Sequence, residues 1–217
     1  MSVGQAVLNL LFPAKCPFCG HVTPGPGICD SCQRMLPWIE EGSQVQTLPG
    51  EVPCVSPLWY EGTVRQGLLR FKFGGASGAA ETLGGLIAQC AAERFSGEFD
   101  IVTWVPVSAR RLRRRGFDQA ELLTRAACRL WNNRTEALLR KTMDNPAQSG
   151  LAGGASERRA NVLGVYEPVD SMRIIGRRVL LVDDIVTTGA TLCECARTLR
   201  DAGAAAVQSA TVARTRS

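Results

Sequence analysis

The spacing of apolar residues along the chain predicts an alternation of strands and helices. Short apolar runs that are typical of strands lie at residues 55–60, 101–107, 179–182 and 207–213. Apolar residues recur at helical spacing over residues 3–11, 62–73, 81–95, 118–131 and 188–202. The run at 179–182 contains no polar residue, as in a strand that is buried on both faces of a parallel sheet. The alternation therefore predicts an α/β domain.

Two polar stretches interrupt this pattern. Residues 37–57 are punctuated by proline, glycine and serine, which predicts a linker between a small N-terminal module, residues 1–36, and a main domain, residues 58–217. Residues 140–159 are polar, rich in glycine and weakly periodic. We expect a long mobile loop there, and long loops inside compact domains often cover a functional site.

The composition is that of an ordinary globular protein. The 217 residues are 45% hydrophobic and 21% charged, which excludes a disordered or fibrous chain. No apolar run approaches the roughly 20 residues that cross a bilayer, so we expect no membrane span. The N-terminus also lacks the positive region and the cleavage site of a signal peptide. These features favour a cytoplasmic protein.

Four of the nine cysteines lie in the N-terminal module as two closely spaced pairs. The pairs are Cys16 with Cys19 and Cys29 with Cys32, and nine residues separate them. Each pair can form a turn that presents two thiolates, and two such turns close a tetrahedral site for Zn²⁺. Four thiolates leave no open coordination position, which favours a structural site. The alternative is two disulfides or free thiols, and disulfides need an oxidising compartment.

The strongest candidate site follows the apolar run at 179–182. Asp183 and Asp184 come first, at the end of the predicted strand where open α/β folds bind ligands. A loop and a helix N-terminus follow, with Thr187, Thr188, Gly189, Ala190 and Thr191. Backbone N–H groups and hydroxyls in such a loop bind phosphate, and two carboxylates accept hydrogen bonds from a vicinal diol. The pattern predicts a site for ribose 5-phosphate; the alternative is an ordinary buried strand followed by a capped helix.

A cluster of arginines follows the strand predicted at 101–107. Five of the six residues from 110 to 115 are arginine: Arg110, Arg111, Arg113, Arg114 and Arg115. Arginine suits phosphate oxygens, so the cluster favours binding of pyrophosphate or of a nucleic-acid backbone. The alternative is a solvated basic face, in a chain whose formal net charge is +5.

The segment VLLVDDIVTTGAT at 179–191 resembles the signature with which type I phosphoribosyltransferases bind phosphoribosyl diphosphate (PRPP). Nearly the whole chain resembles the ComF family of competence proteins, also called GntX-like. Besides the cysteine pairs, the resemblance rests on YEG at 60–62, LRFKF at 69–73, VPV at 105–107, RGFDQ at 115–119, QSGL at 148–151 and RRANV at 158–162. It implies a type I phosphoribosyltransferase fold, a parallel sheet flanked by helices, with a small N-terminal zinc knuckle.

The resemblance also implies roles for individual residues. Asp183 and Asp184 would hold the ribose hydroxyls during catalysis, the loop from Thr187 to Thr191 would hold the 5-phosphate, and Mg²⁺ would accompany PRPP. Arg115 matches the arginine of the family's RGFNQ motif, whereas Asp118 stands where the family has asparagine. The mobile loop would fold over PRPP. Its polar residues are Arg140, Lys141, Gln148, Arg158 and Arg159.

Two functional hypotheses follow from the resemblance. The first is a PRPP-dependent pentosyltransferase with an unidentified acceptor, acting in DNA uptake, natural transformation or the use of imported DNA. The second is a non-catalytic adaptor that binds single-stranded DNA and retains the PRPP pocket. Partners would then include single-stranded DNA and proteins of the competence machinery, such as a helicase or a DNA-processing protein. No residues that define a nucleobase pocket are apparent in the sequence.

Overall fold

The computed structural model describes residues 13–73, 77–143 and 163–216. The helix expected at 3–11 lies outside these ranges, as do Gln148, Arg158 and Arg159. The strands are β1 (Val45–Leu48), β2 (Val52–Val55), β3 (Leu58–Trp59), β4 (Ile101–Trp104), β5 (Leu139–Lys141), β6 (Tyr166–Pro168), β7 (Arg178–Val186) and β8 (Ala206–Arg214). The helices are α1 (Asp30–Met35), α2 (Gly62–Phe73), α3 (Ser77–Arg94), α4 (Ala109–Arg115), α5 (Gln119–Trp131) and α6 (Ala190–Asp201).

A six-stranded sheet forms the centre of the main domain. Five of its strands follow the order β1-β2-β8-β7-β4. The sixth strand, β3, follows β2 in the chain and pairs with the last residues of β8. All pairs are parallel except β1 with β2. The long strands β7 and β8 lie in the middle of the sheet, and β7 extends beyond the end of β4 while it remains paired with β8.

Helices cover both faces of the sheet, because central strands such as β7 carry apolar side chains on both faces. Leu180 and Val182 pack on one face, together with apolar side chains of α2, α3 and α5. Val179 and Leu181 pack on the other face, against α6. All four side chains are at most 1% exposed. The unbroken apolar run therefore forms a strand that is buried on both faces, as its pattern predicted.

The segment 37–57, expected to be a linker, differs from that prediction. It contains β1 and β2, which pair with each other, and β2 also pairs with β8. Val52, Cys54 and Val55 are each at most 1% exposed. The segment therefore belongs to the edge of the main sheet, and the proline and glycine residues mark the turn between its strands.

Two further elements were not apparent in the sequence. The arginine cluster, which has no helical periodicity of apolar residues, forms the short helix α4 between Ser108 and Gly116. The strands β5 and β6 form a separate antiparallel pair. Within the three described ranges, no helix has the length and apolar character that crossing a membrane requires.

Candidate functional site

The acidic pair lies in the second half of β7, just beyond the end of the neighbouring strand β4. Asp183 pairs with Thr211 of β8, and the preceding residue, Val182, pairs with Trp104, the last residue of β4. Asp183 and Asp184 therefore lie just beyond the end of β4, in the crevice outside the carboxyl ends of parallel strands where α/β sheets bind ligands. Asp184 is 7% exposed, and its backbone N–H donates a hydrogen bond of 2.8 Å to Asp183 Oδ1.

The loop after β7 leads directly into α6. Gly189 precedes the helix with a φ of 75°, a left-handed conformation that glycine adopts without strain. A Cβ atom at Gly189 would lie 3.1 Å from Leu48 Cδ2 of β1, so the loop also fits closely against the edge strand. Thr188 Oγ1 accepts a hydrogen bond from the N–H of Ala190 at 3.4 Å. The loop thereby packs between the edge strand and the N-terminus of α6.

A cavity of about 40 Å³ lies within this loop. It is lined by Asp183, Ile185, Val186, Thr187, Thr188, Gly189, Ala190, Thr191 and Leu192. Asp183 and the threonine–glycine loop thus share one small concavity at the N-terminus of α6. The dipole of α6 favours the binding of an anion at this N-terminus.

The two carboxylates are not equivalent. Burial, together with the negative charge of Asp184, raises the pKa of Asp183 to about 8. Asp184 instead has a cationic partner, because Lys72 Nζ of α2 lies 2.9 Å from its Oδ2. Burial lowers the pKa of Lys72, but the charges of Asp184 and Asp183 and the hydrogen bond to Asp184 outweigh burial and raise that pKa above its ordinary value. Asp184 is therefore held in an ion pair, whereas burial and the charge of Asp184 favour the protonated form of Asp183.

Lys72 is the residue of this site that sequence reasoning missed. It lies in the LRFKF segment, which contributed to the family resemblance but carried no assigned role. The only signal for it was a lysine at the end of a predicted amphipathic helix. The fold brings the last turn of α2 across to the end of β7.

The arginines of α4 divide into two groups. The half-buried group is Arg111 and Arg115. Arg115 Nη1 donates to Gln119 Oε1 at 2.8 Å, and its guanidinium lies 5.1 Å from the centre of the Phe73 ring. Burial, and then the charge of Arg111, lowers the pKa of Arg115. The Nε of Arg115 is buried and lacks a hydrogen-bond partner among the described residues. The outer group, Arg110, Arg113 and Arg114, is exposed.

Asp118, the departure from the family motif, has a structural role. It precedes α5, and its Oδ1 accepts hydrogen bonds from the N–H groups of Ala120 and Glu121 at 3.0 and 3.3 Å. Its Oδ2 accepts from the N–H of Val107 at 2.9 Å. Backbone donors therefore occupy both oxygens of this carboxylate, which is 6% exposed. The bonds join the start of α5 to the loop after β4.

Two of the polar residues assigned to the predicted mobile loop, Arg140 and Lys141, fall within the described ranges. Arg140 forms an ion pair with Glu167 at 2.9 Å across the β5–β6 pair, and Lys141 lies 5.2 Å from the centre of the Tyr166 ring. Tyr166 is 5% exposed, and burial followed by the charges of Cys195 and Asp183 raises its pKa. The influence of Asp183 on Tyr166 indicates that this strand pair flanks the acidic site.

The N-terminal module brings four thiols together. The Sγ atoms of Cys16, Cys19, Cys29 and Cys32 all lie within 4.8 Å of one another. Cys19 and Cys29 are closest, with 3.6 Å between their sulfurs. Zn–S bonds of about 2.3 Å in a tetrahedron would place the sulfurs about 3.8 Å apart, so the arrangement fits Zn²⁺. All nine cysteines fall within the described ranges, and each is a free thiol.

The turns of the module position these thiols. Gly20, with a φ of 80°, follows the first cysteine pair, and its N–H donates to Cys16 O at 2.9 Å. Burial raises the pKa of Cys16, but hydrogen bonds from backbone groups near Cys29 and Cys19 outweigh it and leave a pKa of about 7. The thiolate, which is the form that binds metal, is therefore accessible at neutral pH.

The module packs directly against the main domain. Phe18, between the first two cysteines, is fully buried in the same core as Leu68 and Phe71 of α2. A Cβ atom at Gly67 would lie 2.7 Å from Pro17 O, so only glycine permits this approach of α2. The cysteine module therefore supports the helix that carries Lys72.

Comparisons with protein families identify both parts of the chain. Residues 121–217 match the phosphoribosyl transferase domain, and residues 7–43 match the double zinc ribbon domain. The α/β phosphoribosyltransferase fold expected from the sequence is therefore confirmed, together with an N-terminal zinc ribbon that contains the four cysteines.

Curated relatives align with between half and nine-tenths of the chain. The DNA utilization protein YhgH of Escherichia coli K12 is 32% identical over 203 residues, which cover 89% of this chain and 81% of that protein. Competence protein F of Haemophilus influenzae is 35% identical and covers 48% of this chain and 45% of that protein. Competence protein ComFC of Bacillus subtilis is 26% identical and covers 92% of this chain and 77% of that protein. Among solved structures, glutamine PRPP amidotransferase from B. subtilis aligns with a TM-score of 0.43 at 20% identity. The alignment covers 65% of this chain and 30% of that chain.

Proposed function

This chain belongs to the ComF family, that of the DNA utilization protein YhgH and the competence proteins, and we propose that it binds PRPP and transfers its phosphoribosyl group. One observation carries the proposal: Asp183 and the threonine–glycine loop line one cavity toward the carboxyl end of β7, and Asp184 is the next residue of that strand. We expect the ribose diol at Asp183 and Asp184 and the 5-phosphate at the loop from Thr187 to Thr191.

In the proposed reaction, the bond between ribose C1 and the pyrophosphate oxygen breaks, and its electron pair leaves with pyrophosphate. The nucleophilic atom of the acceptor then forms a bond to C1. Positive charge develops on the sugar ring as the old bond breaks, and Asp183 and Asp184 stabilise it by their negative charge and by hydrogen bonds from the ribose hydroxyls. Deprotonation of Asp183 on binding therefore belongs to the mechanism.

The leaving group needs cations. Arg111 and Arg115 are half-buried and lie one turn apart on α4, and Arg110 lies in the first turn of the same helix. We assign pyrophosphate to these three arginines, because their planar donors match phosphate oxygens. Mg²⁺, which binds hard oxygen ligands, would neutralise the pyrophosphate and sugar oxygens of PRPP. We also propose that the zinc ribbon carries structural Zn²⁺ and that the protein acts in the cytoplasm.

Phosphorus NMR tests catalysis directly. Purified protein with PRPP and Mg²⁺ is incubated with candidate acceptors, including nucleobases, nucleosides and single-stranded DNA, and the pyrophosphate signal is followed. We expect acceptor-dependent release of pyrophosphate that the double variant D183N/D184N lacks. PRPP binding without release from any acceptor would contradict catalysis and favour the second candidate function.

That second candidate is an adaptor for single-stranded DNA. The exposed arginines Arg113 and Arg114 and the 62% exposed ring of Phe73 favour it, because cations contact the backbone and aromatic rings stack on bases. The names of the relatives point to DNA utilization and competence, so we infer a role in the uptake or use of DNA, with proteins of that machinery as partners. DNA binding and PRPP binding are compatible, since they use different arginines.

A further inference from the structure

Lys72 lies between the acidic pair and the arginine helix. Its Nζ contacts Asp184 Oδ2 at 2.9 Å, and the two side chains are 23% and 11% exposed, so the pair is only weakly screened by solvent. The backbone carbonyl of Lys72 accepts a hydrogen bond of 3.4 Å from Gln119 Nε2, and Gln119 Oε1 accepts from Arg115 Nη1 at 2.8 Å. The end of α2 is thus connected to both parts of the site.

The contact occupies an oxygen that a ribose diol would need. Each hydroxyl of the diol donates a hydrogen bond to a carboxylate oxygen, so the ribose and the Lys72 ammonium compete for Asp184. The pyrophosphate of PRPP brings several negative charges to the same region. Lysine carries its charge on a flexible four-carbon stem and can follow that charge as the ligand enters.

We propose that Lys72 is a further PRPP-binding residue: it holds Asp184 in the ligand-free protein and moves to the pyrophosphate of PRPP when the ribose hydroxyls take over Asp184. The inference rests on the proposed function, since it assigns a role in the same site. It explains how two adjacent carboxylates accommodate a highly anionic ligand. Lys72 balances the charge of the carboxylates before PRPP binds, and it neutralises charge on the pyrophosphate of PRPP after binding.

Calorimetry with three ligands tests this exchange. PRPP, pyrophosphate and ribose 5-phosphate, each with Mg²⁺, are titrated into wild type, K72Q and the control R65Q, which removes an exposed charge from the same helix. K72Q should weaken PRPP and pyrophosphate by at least about tenfold, because a charge-assisted contact is lost. It should leave ribose 5-phosphate within about threefold of wild type, since the diol no longer competes with an ammonium group.

K72R and R65Q should both bind PRPP close to wild type. Equal weakening of all three ligands in K72Q would show that Lys72 only positions Asp184 and would overturn the proposal. Unchanged PRPP binding in K72Q would overturn it as well. Thermal melts of each variant establish that the protein is folded, because K72Q leaves Asp184 without its cationic partner.

A second measurement needs no variant. The chain has only three lysines, Lys15, Lys72 and Lys141, so protein labelled with ¹³C at lysine Cε gives three side-chain signals. Adding PRPP with Mg²⁺ should move the Lys72 signal and leave that of Lys15 in place. If PRPP binds and the Lys72 signal stays fixed, this proposal fails while PRPP binding stands. If wild type binds neither PRPP nor ribose 5-phosphate, the proposed function itself fails.

Discussion

The raised pKa of Asp183 predicts that binding of the ribose diol depends on pH. The carboxyl group loses its proton only near pH 8, because burial and the charge of Asp184 disfavour its ionised form. A diol donates hydrogen bonds to the carboxylate and therefore binds the ionised form. Other charged groups also act on Asp183: Lys72 lowers its pKa, Asp118 raises it, and it in turn raises the pKa values of Tyr166 and Cys195.

The size of the effect follows from the ionised fraction. With a pKa of about 8 for Asp183, about 10% of the group is ionised at pH 7 and about 50% at pH 8. Affinity for ribose 5-phosphate should therefore rise about fivefold over this interval, in proportion to the competent fraction. The phosphate of the ligand titrates near pH 6, outside the interval.

Calorimetry at pH 7.0, 7.5 and 8.0 measures this rise, and titrations in two buffers of different ionisation enthalpy count the protons released. Wild type should release close to one proton per ligand at pH 7, and D183N should bind more weakly with a flat profile. Parallel profiles for wild type and D183N, with no proton release, would refute the reasoning.

The same shift predicts how stability depends on pH. The folded-state pKa of Asp183 lies above the unfolded value of about 3.9, so its stabilising contribution is complete below that value. The contribution is lost as pH rises from about 4 through the folded pKa of about 8. Thermal melts should therefore show D183N gaining stability relative to wild type between pH 5 and pH 8. A constant difference across this window would contradict the assignment.

Three further predictions concern other parts of the molecule. Protein purified without added zinc should carry about one Zn²⁺ per chain, and less than about a tenth of an equivalent in protein with intact thiols would contradict the structural zinc site. Replacing Arg113 and Arg114 by glutamine should reduce the slope of log affinity for single-stranded DNA against log salt by about one unit while leaving PRPP binding unchanged; an unchanged slope would assign these arginines to a solvated face. Asp118→Asn should lower the free energy of unfolding, measured by denaturant titration, by about 2 kcal/mol. The reason is that the new amide group would face the N–H of Val107 in place of a charged acceptor. Equal stability of the two proteins would contradict the role of this carboxylate.

The acidic site was predictable because its signals are local. The apolar run before Asp183 predicted a central strand, and the threonine–glycine loop predicted the turn into α6. The contact of Lys72 with Asp184 was not predictable, since it joins residues that are far apart in sequence. It depends on how α2 crosses the sheet, which apolar periodicity alone does not specify.

Two misassigned segments show the same limit. β2 contains Pro53, which argues against a strand, yet its pairing with β8 and its buried side chains override local preference. α4 has no apolar periodicity because five of its seven residues are arginine. The helix is stabilised by caps at both ends. Ser108 accepts a hydrogen bond from the N–H of Arg111, and Gly116 ends the helix in a left-handed conformation.

The most direct test of the central claim is a calorimetric titration of PRPP, with Mg²⁺, into wild type and the double variant D183N/D184N. The substitutions keep the shape of both side chains and remove their charge, so melts of the two proteins serve as the folding control. PRPP should bind wild type, and the variant should bind at least about tenfold more weakly, because charge-assisted hydrogen bonds contribute roughly 1.5 to 3 kcal/mol each. Ribose 5-phosphate should compete with PRPP far better than inorganic phosphate, which reaches only the loop from Thr187 to Thr191. Absence of PRPP binding to folded wild type at millimolar ligand would contradict the claim.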